Sequence, residues 1–443
     1  MKILLVGNGA REHAIIKALA RSGREKKLYA FMGAKNPGIA RTSDGYALGD
    51  ICNPMEVAGY AKKNRIELAI IGPEAPLNAG VVDELEKEGI ACAAPSKSAA
   101  RLETDKTFCR QLLEKHHIPG NPRHMIFSDY GKACEYIDKL NYDFVVKPAG
   151  LTGGKGVKIM SEQMTTKDEA KAYVKEILDS KVGHLPQAVI EERLVGEEFT
   201  LQAFVDGKKV VGMPMVQDHK RAYEGDKGVN TGGMGSYSDS GFILPFLTQE
   251  DYDRGLAIME NTINAVKKET GACYRGFLYG QFMATKEGIG LIEYNARLGD
   301  PEAMNVLSVL DSDLIDICSG MAEGSLDEEI EFSKKATVCK YMVPEGYPEN
   351  PRKNVELSVD ENAIKKLGGE VYYASVREEG GRIISSTSRS VAVLGKADTI
   401  SEAEKIAEKS MQYIKGELFH RRDIGTRELI QKRAYHMKQL RGS

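Results

Sequence analysis

The first ~100 residues alternate short apolar runs with amphipathic stretches, and this rhythm narrows the fold more than any other feature of the chain. Residues 2–6 read as a strand, 11–20 as a helix, 28–32 as a second strand and 68–71 as another that ends at Gly72-Pro73. Strands separated by helices in this way form a parallel sheet, so an α/β fold is expected. In an open parallel sheet, ligands sit beyond the carboxyl ends of the strands. That rule brings Gly7-Asn-Gly-Ala-Arg-Glu-His13 and Gly72-Pro-Glu-Ala-Pro-Leu77 to one rim, as parts of one candidate site.

The 443 residues suffice for about three domains at the usual ~100–200 residues each, which excludes a disulfide- or metal-stapled mini-protein. Lys and Arg number 61 against 64 Asp and Glu, a net charge of −3, so no basic excess invites nucleic acid. The seven cysteines are scattered and never form a C-x-x-C pair, which reads as a reducing compartment without a zinc cluster. The opening apolar run meets Gly7 too early for a signal peptide or a membrane span, so a soluble cytoplasmic protein is expected.

Further along, a helix carrying Phe108, Leu112 and Leu113 is expected from Thr104 or Asp105 to about His117, before Pro119-Gly120. Lys106 then sits in the first turn, where the helix dipole disfavours a cation; a solvated lysine or a nearby anionic ligand accounts for it equally well. Residues 144–147 and 156–159 bracket the turn Gly150-Leu-Thr-Gly-Gly-Lys155 as a hairpin, followed by a helix over 167–179 and a strand over 188–190. After about residue 330, strands are expected over 338–342 and 390–394. Ser401 and Glu404 read as a capping box that opens a helix to about Ile414.

Gly7-Asn-Gly9 falls short of a dinucleotide fingerprint: Glu12 stands where the third glycine belongs, and no acid ends the second strand at Met32-Gly33. A strand-to-helix turn that binds one phosphate, or a purely structural turn, fits better. Lys155 does not make a P-loop either, since Ala149 and Gly156 occupy the first glycine and the Ser/Thr position. Four glycines at 150, 153, 154 and 156 instead suit a hairpin bending over a ligand, with Lys147 and Lys155 reaching one phosphate chain.

The most informative stretch runs from Phe277 to Glu302. Glu293 and Asn295, two apart on a strand, leave the same face, and a turn centred on Glu287 sets Gln281 opposite Glu293. Three oxygen donors in one patch suit magnesium, with phosphates filling its other positions. Arg297, Asp300 and Glu302 add charge at the strand's end, so a magnesium–nucleotide site is expected, against the alternative of a solvated strand face. Asp218-His-Lys-Arg221 followed by Asn230-Thr-Gly-Gly-Met-Gly235 suits a loop closing over an anion, or a plain surface loop. The eight histidines show no metal-ligand spacing.

On these residues the chain resembles the phosphoribosylamine–glycine ligase family (glycinamide ribonucleotide synthetases) of the ATP-grasp superfamily. The likeness covers essentially the whole chain, from the Gly7 and Gly72 turns through Gln217-Asp-His-Lys-Arg221, Asn230-Thr-Gly-Gly-Met-Gly-Ser-Tyr237 and Asn295-Ala-Arg-Leu-Gly-Asp-Pro-Glu302 to Arg422-Asp-Ile-Gly425. The glycine-rich hairpin and the Glu293 strand are common to ATP-grasp enzymes, whereas the first turn and the Asp218 and Asn230 runs are specific to this ligase.

The resemblance implies an ATP-grasp fold in four parts: an N-terminal substrate-binding α/β domain (1–103), a linker helix and lid (104–190), a central ATP-grasp domain (191–328) and a C-terminal α+β domain (329–443). It also implies that ATP phosphorylates the carboxylate of glycine, that 5-phosphoribosylamine attacks the acyl phosphate, and that the product serves purine synthesis. Another ATP-grasp ligase or carboxylase, or a nucleotide-binding regulator without turnover, is the alternative.

By the same resemblance, Lys106, Lys147 and Lys155 would hold the ATP phosphates beside Gly153 and Gly154. Glu191, Arg193 and Leu194 would line the adenine slot, and Glu198 would take the ribose hydroxyls. Gln281, Glu293 and Asn295 would hold Mg2+ or Mn2+, with Arg297, Gly299, Asp300 and Lys155 at the reacting centre. Asn8, Gly9, Arg11, Glu12, Pro73 and Glu74 would receive phosphoribosylamine, and Asp218 and Lys220 would close over the substrates. The implied protein is a monomer or weak homodimer that binds neither nucleic acid nor membrane. Two features depart from the family: Val146-Lys-Pro-Ala-Gly150 replaces a lysine-alanine-aspartate-glycine run, and Arg193 replaces an aromatic residue. Gly196-Glu-Glu-Phe-Thr-Leu-Gln-Ala-Phe204 resembles an archaeal branch.

Overall fold

The computed structural model describes residues 1–152, 156–183, 185–327 and 329–442. The Lys2–Val6 strand is fully apolar on its inner run and lies at the centre of a five-stranded sheet. It pairs in parallel with Lys27–Met32 on one side and Leu68–Ile71 on the other, and Gly45–Leu48 and Ala91–Cys92 close the edges. The expected parallel sheet is therefore present, and its central strand leads straight into the helix Ala10–Ala20. Because the first and fourth strands in chain order are neighbours, the turns after Val6 and Ile71 emerge side by side.

A small antiparallel sheet follows, in the order His124–Phe127, Ala188–Glu192, Phe144–Pro148, Lys158–Ile159. The expected hairpin forms, with Val145 opposite Ile159 and Val146 opposite Lys158. Helices Tyr130–Lys139 and Lys167–Leu178 cover the sheet and bury Ile137, Val174 and Ile177 against Phe144 and Val146 in a core of their own. Gly153, Gly154 and Lys155 lie outside the described residues. The other two glycines of the run are explained by packing within the lobe: a Cβ on Gly150 would lie 1.9 Å from the Gly183 carbonyl oxygen, and one on Gly156 would lie 2.6 Å from Thr152.

The central sheet runs Val210–Gly212, Glu197–Asp206, Arg275–Thr285, Gly288–Asn295, backed by the 22-residue helix Gln249–Thr270. The strands expected over 338–342 and 390–394 are present: Ala336–Pro344 pairs on one side with Val391–Ala397 and on the other with Gly235–Ser238. The last part of the chain is thus hydrogen-bonded directly to the glycine-rich run that follows Lys220. One large apolar core spans the first sheet, the central sheet and this junction.

The expected capping box is displaced by two residues. Thr399, not Ser401, caps the helix Ile400–Met411: its hydroxyl accepts from the Glu402 N–H at 3.3 Å and meets the Glu402 carboxylate at 3.0 Å. Two S/T-x-x-E matches overlap here, and the buried positions Ile400, Ala403 and Ala407 select the earlier one. Ile414 falls in the next strand, Ile414–Lys415. No helix among the described residues is long and apolar enough to cross a membrane.

Candidate active site

Gln281 does face Glu293, although not through the expected turn. Thr285 pairs with Gly288, so the turn is Lys286-Glu287, a register that by itself would set Gln281 opposite Ile292. A one-residue bulge leaves Ile292 out of the ladder and restores the pairing with Glu293. The Ile292 carbonyl accepts from Arg110 Nη2 at 2.7 Å and Lys147 Nζ at 3.2 Å. Gln281 Nε2 donates to Glu198 at 2.6 Å, which aims its amide oxygen elsewhere. That oxygen and the side chains of Glu293 and Asn295 make no hydrogen bond among the described residues. Burial pushes the Glu293 carboxyl up, but Lys220, Lys106, Lys147 and Arg297 outweigh it and hold Glu293 below its ordinary value, as a carboxylate. Three unclaimed hard oxygens with this charge balance suit a small divalent cation.

These oxygens face a cavity of about 720 Å3 that reaches from the small lobe to the first sheet. Lys106 opens the helix Lys106–Lys115 behind an Asp105 cap, and its Nζ lies 3.4 Å from the Gly150 carbonyl, at the root of the glycine turn. Lys147 is buried on the Phe144–Pro148 strand and pairs with Glu191 at 2.7 Å. Glu191 also takes a two-pronged grip from Arg110, at 2.7 and 3.0 Å. Burial pushes the Glu191 carboxyl up, yet these two cations bring it down to about 2. Its carboxylate is therefore committed to protein partners. Arg193 is likewise held, by Asp143 at 3.3 Å and by Glu162, while Leu194 joins it on the cavity wall. Glu198 lies 3.6 Å from Lys220.

At the other end of the cavity Arg297 lies between two carboxylates, Glu74 at 3.4 Å and Glu103 at 3.2 Å. Glu103 also accepts from the Ala296 N–H at 2.7 Å, and burial pushes its carboxyl up to about 7. Gly299 donates its N–H to Gln202 at 2.7 Å. Asp300 accepts from the Tyr341 hydroxyl at 2.5 Å and pairs with Arg389 at 3.2 Å. Burial pushes Asp218 up to about 7 in spite of Lys220 beside it.

Arg11, Pro73 and Glu74 line the cavity, whereas Asn8, Gly9 and Glu12 do not. Glu12 is only 2% exposed and is spent internally, accepting from Gly9 N at 2.5 Å and Arg11 Nε at 2.6 Å. Asn8 accepts from the Gly33 N–H at 3.1 Å. The first turn thus presents Arg11 and the rim, while Glu12 shapes it from inside.

Sequence reasoning missed several wall residues, Arg110, Glu103 and Arg389 among them. Arg110 stands four residues after Lys106 on one helix face, a spacing that could have flagged it. Glu103 lies just ahead of that helix, in the short helix Arg101–Thr104. Arg389 gave no local signal: it reaches in from the last part of the chain to bond the carbonyls of Gly232 at 2.8 Å and Asp300 at 2.8 Å.

Comparison with known proteins agrees along the whole chain. Residues 1–103 match the family model for the phosphoribosylglycinamide synthetase N domain, 104–303 its ATP-grasp (A) domain, and 337–427 its C domain. A phosphoribosylamine–glycine ligase of Methanocella arvoryzae is 52% identical over 443 residues, covering 100% of both chains. Among solved structures, the phosphoribosylamine–glycine ligase of Thermotoga maritima superposes with a TM-score of 0.81 at 27% identity, covering 96% of this chain and 100% of that one. The biotin carboxylase domain of a Hydrogenobacter thermophilus 2-oxoglutarate carboxylase, solved with MgADP, shares the fold at a TM-score of 0.72 and 15% identity, over 99% of this chain and 93% of that one.

Proposed function

The chain belongs to the phosphoribosylglycinamide synthetase family, and from that premise we propose how its own residues join glycine to 5-phosphoribosylamine. It is an ATP-grasp ligase of purine biosynthesis that uses ATP and a divalent metal ion. The observation that carries the residue-level reading is the set of unclaimed oxygens on Gln281, Glu293 and Asn295, facing Lys106, Lys147 and Lys220 across one cavity.

A carboxylate is a poor electrophile until one of its oxygens becomes a leaving group. In our reading the γ-phosphoryl of ATP moves to an oxygen of the glycine carboxylate and ADP departs. The amine of phosphoribosylamine then attacks the acyl carbon, a C–N bond forms, the C–O bond breaks, and phosphate leaves with that oxygen while the amine loses a proton. Lys106 and Lys147 hold the phosphate chain, and Lys155, outside the described residues, joins them. Gln281, Glu293 and Asn295 would hold magnesium, or manganese in its place, which supplies charge neutralisation on the phosphoryl oxygens. Glu191 orients Lys147 and Arg110 with its carboxylate, while Arg193 and Leu194 offer main chain toward adenine and Glu198 faces the ribose.

Arg297, clamped by Glu74 and Glu103, and Asp300, fixed by Tyr341, stand at the reacting centre beside Gly299. Arg11, Pro73 and Glu74 receive phosphoribosylamine, with Asn8, Gly9 and Glu12 shaping the turn. Asp218 and Lys220 close the site. Cytoplasmic residence is our reading of cysteine usage: all seven thiols are unpaired. The direct test is ADP release with ATP, magnesium and phosphoribosylamine formed in situ. Strict dependence on glycine supports the reading, and release that ignores glycine contradicts it.

A further inference from the structure

The Arg421-Arg-Asp-Ile-Gly425 segment lies far in sequence from the residues placed at the ligation chemistry. Its most buried member is Arg421, a guanidinium only 1% exposed. Such a group is tolerated inside a protein when its donors are used. Arg421 grips Asp423 with Nε at 2.9 Å and Nη2 at 2.7 Å, which fixes the plane of its fork. The remaining reach goes outward: Nη2 donates to Asp226 at 3.2 Å and Nη1 to the carbonyl of Arg221 at 3.0 Å.

Both of those acceptors belong to one hairpin, Arg221–Tyr223 paired with Lys227–Asn230, which follows directly on Lys220. This hairpin has little apolar anchor: Ala222 is the one buried residue between Arg221 and Asn230, and the exposed Tyr223 stacks on Phe419. Its position comes mainly from polar contacts. Besides Arg421 these include Arg433 to Asp226 at 2.5 Å, the Gly225 N–H to Asp423 at 2.9 Å, and the Arg422 N–H to Glu224 at 3.3 Å, with the Tyr223 hydroxyl to Glu349 at 3.3 Å and Arg221 to Glu162 beside them. Most come from the stretch that runs from Arg421 into the helix Arg427–Arg441. That stretch is itself anchored: Ile424 is fully buried, and Gly425 packs so closely on Val338 that a Cβ would lie 2.8 Å from it. At the base of the hairpin the Lys220 carbonyl accepts from the Thr231 N–H at 2.7 Å and its hydroxyl at 2.8 Å, so a shift of the hairpin moves Lys220.

We propose that Arg421 is a positioning residue for the ligation: through Asp226 and the Arg221 carbonyl it holds the hairpin so that Lys220 stays over the cavity. The residue acts through Lys220 and touches no substrate. If the hairpin is in place only part of the time, apparent substrate affinity falls by that fraction, while saturating substrate restores the closed form. The inference rests on Lys220 facing the substrates.

The test is Arg421→Lys, which keeps the charge and loses the fork. The expected result is a KM for glycine and for phosphoribosylamine raised about tenfold with kcat within about twofold, as for loss of a charge-assisted, two-pronged contact. Asp226→Asn, on the half-buried hairpin side, should give the same split and decides the matter if Arg421→Lys does not fold. Unchanged KM and kcat overturn the proposal. So does a lowered kcat at unchanged KM, which is what a smaller folded fraction gives. Lys220→Met separates this inference from the reading beneath it. Wild-type kinetics in Lys220→Met overturn the role of Lys220. An impaired Lys220→Met beside a wild-type Arg421→Lys overturns only the role of Arg421.

Discussion

Gln281 and Glu293 stand opposite each other because Ile292 is left out of the ladder between them. The bulge does two things at once: it turns Glu293 and Asn295 onto the face that carries Gln281, and its Ile292 carbonyl meets Arg110 and Lys147. Glu293→Ala should therefore lower kcat on the order of 100-fold or more, the scale for losing charge stabilisation in a phosphoryl-transfer site. Its thermal midpoint without ligand should fall far less than its turnover, since Glu293 makes no hydrogen bond among the described residues and meets its neighbouring cations only through their charge. Mg-ATP should raise the midpoint of wild type by mass action and raise that of Glu293→Ala less. Turnover near wild type in the variant would refute the metal role.

Glu191 bridges two buried cations, so Glu191→Gln should leave Arg110 and Lys147 without a counter-charge. A loss of roughly 3–5 kcal/mol in urea unfolding is expected for breaking a buried ionic cluster of this kind. The pH sign follows from the depressed carboxyl. Glu191 contributes stability above its ordinary value of 4.5 and loses it as pH falls toward about 2. Acid unfolding of wild type should be steeper through that window than that of Glu191→Gln.

Glu103 predicts the opposite sign. Burial favours its protonated form, and its carboxyl is pushed from 4.5 up to about 7, so folding stability contributed by this group falls as pH rises through that window. Glu103→Gln should flatten that part of a thermal-midpoint profile. Because Glu103 also orients Arg297, the same variant should lose turnover at every pH.

Gly72 gives a steric prediction. A Cβ there would sit 2.1 Å from Glu12 Oε1, and Glu12 cannot retreat while it caps Gly9 and holds Arg11. Gly72→Ala should cost about 1–3 kcal/mol through overpacking and raise KM for phosphoribosylamine more than KM for ATP. An unchanged urea midpoint would show that the turn relaxes freely.

The parallel sheet, the lid hairpin and the Glu293 strand were legible because each rests on a local pattern: βα alternation, two apolar runs around glycines, and a period of two on a strand. Lys147, Gln281, Glu293 and Asn295 were named from those same patterns, and the structure brings them to one cavity. What stayed hidden depends on contacts between distant segments. Arg389 and Arg421 arrive from the end of the chain, and no spacing near either residue marks the carbonyls and carboxylates they reach. The Ile292 bulge is visible only once the turn is known to hold two residues. The resemblance alone implied that Glu12 meets substrate, yet the space left by Gly7 and Gly72 turns it inward. At Thr399 two equivalent cap motifs overlap, and only burial of Ile400 distinguishes them.

Phosphoryl transfer to the carboxylate of glycine before the amine attacks is tested most directly by running the ligation with glycine labelled with 18O in both carboxylate oxygens and weighing the phosphate released. The expected result is one 18O atom in each phosphate and one retained in the amide product. Phosphate free of 18O, with its new oxygen drawn from water, would contradict it.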